Sequence, residues 1–92
     1  MNTQAAPPVA DIEATILALT AQRGPAKSIC PSEVARLLRP DWQPLLGEVR
    51  RAACRLAAAG RIDILRKGHV VAPAGVKGVI RLRAAQPSQE DR

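Results

Sequence analysis

The sequence predicts a mainly α-helical fold with a small β-sheet, and three features of the chain support this prediction. Apolar residues recur at every third or fourth position through most of residues 11–58, which is the period of an α-helix. Residues 62–65 and 79–83 follow the two-residue period of strands. A short basic segment with a glycine, residues 66–69, separates two β-branched runs and indicates a hairpin.

The first predicted helix spans about residues 11–23. Asp11 is a suitable capping residue at its start, and the pair Gly24-Pro25 ends it. The helical period directs four apolar side chains toward the core, namely Ile12, Ile16, Leu17 and Leu19.

The second predicted helix begins at Pro31, because proline at the first helical position loses no hydrogen bond. Glu33 lies in the first turn, where the positive end of the helix dipole favours a carboxylate. Pro40 disfavours helical geometry at the preceding residue and should end the helix at Arg39. The apolar stripe of this helix is expected to consist of Val34, Leu37 and Leu38.

The third predicted helix is long and basic and covers residues 42–60, with Asp41 as its cap and Gly60 as its stop. Helical spacing assigns one face to the core, comprising Trp42, Leu45, Leu46, Val49, Ala52, Ala53 and Leu56. The opposite face comprises Gln43, Gly47, Arg50, Arg51, Cys54, Arg55 and Ala58.

Three helices followed by a basic hairpin have the order of a winged helix-turn-helix, and that is the predicted fold. Residues 66–69 form the tip of the wing. Ile29 is expected to add a short strand, because a hairpin without a third partner is only marginally stable. In the last strand, Ile80 and Leu82 are expected to point inward.

The chain has 14 Lys and Arg residues against 8 Asp and Glu residues, which gives a net charge of +6. From residue 42 to residue 83 nine basic residues stand against two acids, so this half carries +7. Such a concentration of charge indicates a polyanionic partner, and a basic surface that serves solubility is the alternative. With no Phe or Tyr and one Trp, the core is expected to be aliphatic.

A single domain at residues 9–85 is predicted, between disordered tails at residues 1–8 and 86–92. No apolar run approaches the length of a membrane span, and the first residues lack the features of a signal peptide. A cytoplasmic location without membrane contact is therefore expected.

The leading functional prediction is a DNA-binding protein whose third helix enters the major groove while the wing contacts the backbone, and a transcriptional regulator is one such protein. Lys77 and Arg81 are expected on a strand away from the DNA. The predicted contacts are Gln43, Arg50, Arg51 and Arg55 on the helix, Arg66 and Lys67 on the wing, and Lys27, Ser28 and Arg36 along the backbone.

The alternative is a protein-interaction module with the same fold. The small residues Gly47, Cys54 and Ala58 leave a face on which another helix could pack, and a homodimer or another protein partner is compatible with it. Gly47 is also expected to leave room for the close approach of a duplex.

Catalysis, cofactors and metals are not expected. Ser28 and Ser32 have no neighbouring histidine, and no glycine-rich loop has the spacing that holds phosphates. Cys30, Cys54 and His69 lack the spacing and the fourth ligand of a zinc site. Both cysteines are expected to be free thiols in a reducing compartment.

Three segments carry a family resemblance: Ile29-Cys-Pro-Ser-Glu-Val-Ala-Arg36, Val49-Arg50 and Lys77-Gly-Val-Ile-Arg-Leu-Arg83. Together they resemble a family of small bacterial proteins that is known only as a domain of unknown function and whose members look like winged helices. The sequence departs from that pattern at Ala72, where Asp is typical, and at Val79, where Pro is typical. The resemblance implies the fold and brings no activity or ligand.

Overall fold

The computed structural model describes residues 7–85, so the predicted disorder at residues 1–6 and 86–92 lies outside the described residues. Three α-helices and a three-stranded antiparallel sheet follow one another along the chain, as the sequence predicts. The elements are α1 (Val9–Arg23), α2 (Pro31–Leu38), a 3-10 turn (Gln43–Leu45), α3 (Leu46–Ala58), β1 (Ile62–Arg66), β2 (His69–Val71) and β3 (Arg81–Ala84).

The core is aliphatic and receives side chains from all three helices and from the sheet, which confirms the expectation from composition. Its largest fully buried side chains are Ile12, Ile16, Ile29, Val34, Val49, Ile64, Ile80 and Leu82. Within residues 7–85, no helix has the length and the apolar character that crossing a membrane requires.

Helix α1 begins two residues before Asp11, so the prediction that Asp11 caps it is wrong. The N–H groups of Asp11 and Ile12 both donate to the carbonyl of Pro8, which extends the helix toward the N-terminus. Asp11 remains in the first turn, where its negative charge interacts favourably with the positive end of the helix dipole. Thr20 was not predicted in the core, yet it is buried, and its hydroxyl donates to the carbonyl of Ile16 at 2.9 Å.

Helix α2 starts at Pro31, as predicted, and ends at Leu38, one residue before the predicted end at Arg39. Leu37 is 65% exposed and does not belong to the core. The inward stripe of this helix is Pro31, Val34 and Ala35, with Leu38 partly buried against the core. Because each residue turns the helix by about 100°, Leu37 falls outside the arc that these positions define.

Glu33 holds the start of α2 in place. One of its carboxylate oxygens accepts the backbone N–H of Cys30 at 2.9 Å, and the other lies 2.7 Å from the guanidinium of Arg23 on α1. The hydrogen bond from Cys30 is the main reason that the pKa of Glu33 lies below its ordinary value, and burial opposes this effect. The carboxylate therefore joins α2 to α1 in its charged form.

We expect E33Q to lower the free energy of unfolding at neutral pH by about 1 kcal/mol, because the amide accepts weaker hydrogen bonds. Because folding lowers the pKa of Glu33, its charged carboxylate stabilises the protein at pH values above the ordinary pKa of 4.5. This stabilisation is lost as the pH falls through the lowered pKa. The gap between wild type and E33Q should therefore close below about pH 4.5 in denaturant titrations. A gap that is constant with pH would exclude this role for the charge.

The third predicted helix is divided. Residues 43–45 wind as a 3-10 turn, and only residues 46–58 are α-helical. Pro44 lacks an N–H and restricts the residue before it, which explains the tighter first turn. Asp41 is exposed and makes no capping hydrogen bond, so the prediction that it caps the helix is wrong. Trp42 packs against the core, as predicted, but is only partly buried. The predicted core positions that are buried are Leu45, Val49, Ala52, Ala53 and Leu56.

The sheet has the order β2-β1-β3, with β1 in the centre. Ile64 on β1 pairs with Val71 on one side and with Leu82 on the other. Ile29 adds the predicted extra strand position, but it pairs with Leu82 of β3, through two backbone hydrogen bonds of 2.8 Å. The last strand was predicted at residues 79–83 but spans Arg81–Ala84, and Val79, which precedes it, is exposed. Ile80 and Leu82 are buried, as predicted.

A two-residue turn, Lys67-Gly68, connects β1 to β2, which confirms the predicted hairpin tip. Both residues have a positive φ, 52° and 82°, as a type I′ turn requires. Lysine is uncommon in this conformation, whereas asparagine and glycine adopt it readily.

We expect K67N to fold and to be as stable as wild type or a few tenths of a kcal/mol more stable, because Asn-Gly is the preferred type I′ sequence. K67V should cost about 1–2 kcal/mol, because a β-branched side chain clashes at positive φ. Denaturant titration of both variants tests the turn. Equal stability of the two variants would show that the turn does not have this conformation in solution.

Candidate functional site

Four of the arginines predicted to contact DNA, together with Arg81, divide into two groups by their partners. Two of them, on α3, face carboxylates. The guanidinium of Arg51 lies 2.7 Å from Glu48, and that of Arg55 lies 3.1 Å from Glu13 on α1. The charge of each arginine is thus offset by an adjacent acid.

Three other arginines are oriented by neutral backbone carbonyls. Arg50 donates to the carbonyl of Gly78 at 2.8 Å, and Arg66 donates to the carbonyl of Lys77. Arg81 donates to the carbonyl of Ser28 at 3.0 Å and also to its hydroxyl at 2.6 Å. A carbonyl fixes the direction of a guanidinium without cancelling its charge, so these three arginines keep a full positive charge in fixed positions.

The loop between β2 and β3, residues 72–80, brings these groups together by lying against α3. The thiol of Cys54 is 3.5 Å from the carbonyl of Pro73, and Val76 packs against the core. Gly78 has a φ of 80°, and a side chain at this position would meet the guanidinium of Arg66. A glycine here allows the loop to pass close to Arg66.

This loop changes the predicted small face of α3. Cys54 is partly covered, so Gly47, Cys54 and Ala58 do not form an open surface. Gly47 is itself exposed, but the guanidinium of Arg51 lies where a Cβ would make ordinary contact at 3.6 Å. Gly47 also lines an open hollow together with Arg50 and Arg55, so the expected approach of a duplex at this position stays a prediction.

Two adjoining depressions follow the loop and share Val79, which is 84% exposed. We call them the loop groove and the hairpin-base pocket. The loop groove is lined by Cys30, Pro31, Ser32, Leu46, Arg50, Gly78, Val79 and Ile80. The hairpin-base pocket is lined by Ser28, Leu65, Arg66, Lys67, Gly68, Val79 and Arg81. None of these residues is acidic.

The structure thus brings together four of the nine predicted residues in these depressions, namely Ser28, Arg50, Arg66 and Lys67. Arg51 and Arg55 line a neighbouring hollow beside Arg50. The guanidinium of Arg36 stacks 4.7 Å from the centre of the Trp42 ring. Gln43 and Lys27 are exposed.

Arg81 was expected away from the site, and the structure places it inside the hairpin-base pocket. Lys77 was expected on a strand but lies in the loop, where its carbonyl binds Arg66. Pairing of Ile29 with Leu82 sets Ser28 beside Arg81. The sequence predicted a strand at Ile29 but not its pairing with Leu82. Without this pairing, the position of Arg81 beside Ser28 could not be predicted.

The two cysteines are free, as predicted. Cys30 lies at the start of α2, where its sulfur accepts a hydrogen bond from the hydroxyl of Ser32 at 3.1 Å. Among residues 7–85, no group of His, Cys, Asp and Glu has the arrangement of a metal site. The residues that line the two depressions offer positive charge and N–H donors.

Comparison with protein-family models matches residues 9–85 to the family described as "Protein of unknown function (DUF3253)". A search of curated proteins found no match for this chain.

Proposed function

Because the chain belongs to the DUF3253 family, whose description gives no activity, we propose its function from the site alone: a winged-helix protein that binds double-stranded DNA. The element order and the sheet are consistent with a winged helix in which residues 67–80 form the wing. Regulation of transcription is the role that this binding would serve.

One observation carries the proposal: Arg50, Arg66 and Arg81 are held by carbonyls around one loop, with no acid lining the depressions between them. DNA phosphates are bound by such donors, and a site oriented in advance loses less side-chain entropy when it binds. The proposed interface is therefore centred on the loop groove and the hairpin-base pocket rather than on the outer face of α3.

In this arrangement Gln43 in the 3-10 turn and Arg50 in the first part of α3 approach the major groove. The turn at Lys67 and Gly68 lies along the adjacent backbone, where Lys67 contacts phosphate. Exposed ion pairs are worth only about 0–1 kcal/mol, so Arg51 and Arg55 can also turn to DNA. Each would then leave a carboxylate close to the phosphates, which reduces its contribution.

Two single-charge variants at opposite ends of β1 test the placement of the interface. Lys67 follows β1 at the hairpin tip, whereas Arg61 precedes β1 and is exposed. We expect K67N to weaken binding of a labelled mixed-sequence duplex several-fold in fluorescence anisotropy at low salt. R61Q, which removes the same charge, should change the affinity less than about twofold.

Equal weakening by K67N and R61Q would contradict a localised interface and indicate a diffuse basic surface. If folded wild-type protein fails to bind duplex at low salt, the DNA-binding function is wrong.

The second candidate, a protein-interaction module, is favoured by a different surface. A groove between α1 and α2 is lined entirely by uncharged residues, namely Ala14, Thr15, Ala18, Leu19, Gln22 and Leu37. Its occupant would be a second copy of this chain, because two chains of charge +6 repel least where neither carries charge. Leu37, at 65% exposure, is the apolar anchor that such a contact would bury.

Sedimentation equilibrium of wild type and L37E tests this candidate. The candidate is supported if the wild type dimerises at micromolar concentration and L37E stays monomeric. A wild type that is monomeric at all concentrations would exclude it.

A further inference from the structure

The hairpin-base pocket is an open cavity of about 430 Å³, which is within the size range of small-ligand sites. Three cationic side chains line it: Arg66 and Lys67 at the hairpin and Arg81 on β3. Leu65 and Val79 give it apolar walls. Positive charge on one side and apolar surface on another suit a ligand that has an anionic group joined to a less polar body.

The donors in this pocket are oriented and only partly used. Arg81 donates from Nε and Nη2 to Ser28, and Arg66 donates from Nη1 to the carbonyl of Lys77. A guanidinium carries five N–H donors, so both arginines retain N–H groups for a ligand. Lys67 adds an ammonium group at the exposed turn.

The pocket has a charge of +3 from its three cationic side chains, and no carboxylate lines it. Glu33 interacts electrostatically with Arg81, but it is already bound to the N–H of Cys30 and to Arg23. An anion in the pocket would therefore meet three cations without competing with a carboxylate in the lining.

We infer that the hairpin-base pocket binds the dianionic phosphate of a phosphate monoester. A monoester carries close to two negative charges at neutral pH, whereas an internal phosphodiester of DNA carries one, and three cations favour the former. The group could belong to a free nucleotide or to the 5′-phosphate at the end of a DNA strand. Only the second source rests on the proposed DNA-binding function.

The first test compares adenosine monophosphate with dimethyl phosphate at equal ionic strength, in amide NMR titrations of the full chain. We expect saturable shifts for adenosine monophosphate, largest at Ser28, Gly68 and Arg81. Dimethyl phosphate should bind at least about tenfold more weakly. Equal affinity for the two compounds, or shifts spread evenly over all basic residues, would overturn the inference.

Variants then locate the site. R81Q should weaken the binding of adenosine monophosphate about tenfold or more. R61Q, which removes the same charge, should leave this affinity unchanged. Arg81 also holds Ser28, so R81Q could change the local structure as well as the charge. K67N is therefore the second variant, because it preserves the turn, and we expect it to weaken the binding of adenosine monophosphate several-fold. Unchanged affinity in both folded variants would contradict the assignment.

Short duplexes with a 5′-phosphate or a 5′-hydroxyl identify the source. If the 5′-phosphate raises duplex affinity and adenosine monophosphate competes for it, the ligand is a strand end. If adenosine monophosphate binds but the 5′-phosphate has no effect, the ligand is a free nucleotide. Binding of the 5′-hydroxyl duplex reports on the proposed DNA-binding function alone, so the two hypotheses can fail separately.

Discussion

Replacing Leu82 by alanine is expected to lower the free energy of unfolding by about 2–5 kcal/mol. Leu82 is 0% exposed, lies opposite Ile64 on β1, and exchanges two backbone hydrogen bonds with Ile29. Removing its side chain would leave a cavity where the sheet meets the helices. Such a loss is a large part of the stability of a small domain, so urea titration should detect it easily.

Leu37→Ala provides the matched control, because it is the same chemical change at a position that is 65% exposed. We expect a loss of less than about half a kcal/mol, as for most surface substitutions. A large effect at Leu37 together with a small effect at Leu82 would show that the packing described for α2 and β3 is wrong in solution.

The second large effect concerns DNA affinity and compares two double variants of equal charge. R50Q/R66Q removes two arginines held by carbonyls, and R51Q/R55Q removes two arginines paired with carboxylates. At about 0.1 M salt each lost phosphate contact weakens binding by roughly tenfold. We therefore expect R50Q/R66Q to weaken duplex binding by on the order of 100-fold and R51Q/R55Q by less than about tenfold.

Circular dichroism should establish that both double variants are folded before their affinities are compared. A greater loss of duplex affinity for R51Q/R55Q than for R50Q/R66Q would indicate that the interface lies on the outer face of α3. Equal losses would indicate that net charge alone determines the affinity.

The order of helices and strands could be predicted from the sequence because hydrophobic period and turn residues are local signals. The two-residue turn at Lys67-Gly68 and the start of α2 at Pro31 illustrate this. Boundaries that depend on backbone detail were less accurate. The 3-10 turn before α3 arises from Pro44, and the early start of α1 arises from the carbonyl of Pro8.

The candidate site was only partly predictable, because its geometry depends on contacts between distant segments. The sequence identified the basic residues but could not show that Glu48 and Glu13 pair with Arg51 and Arg55. It also could not place the 72–80 loop against α3, since loops have no periodic signal. It could not show that Arg81 lines a depression with Arg66 and Lys67 either, because the position of Arg81 depends on the pairing of Ile29 with Leu82.

The most direct test of the DNA-binding function is the salt dependence of duplex affinity for wild-type protein. If about four phosphates are contacted, the logarithm of the association constant should fall with the logarithm of salt concentration at a slope of about −3.6. A mixed-sequence duplex measured by anisotropy between about 0.05 and 0.2 M salt gives this slope. A slope shallower than about −1, or no binding at the lowest salt by folded protein, would contradict the proposed function.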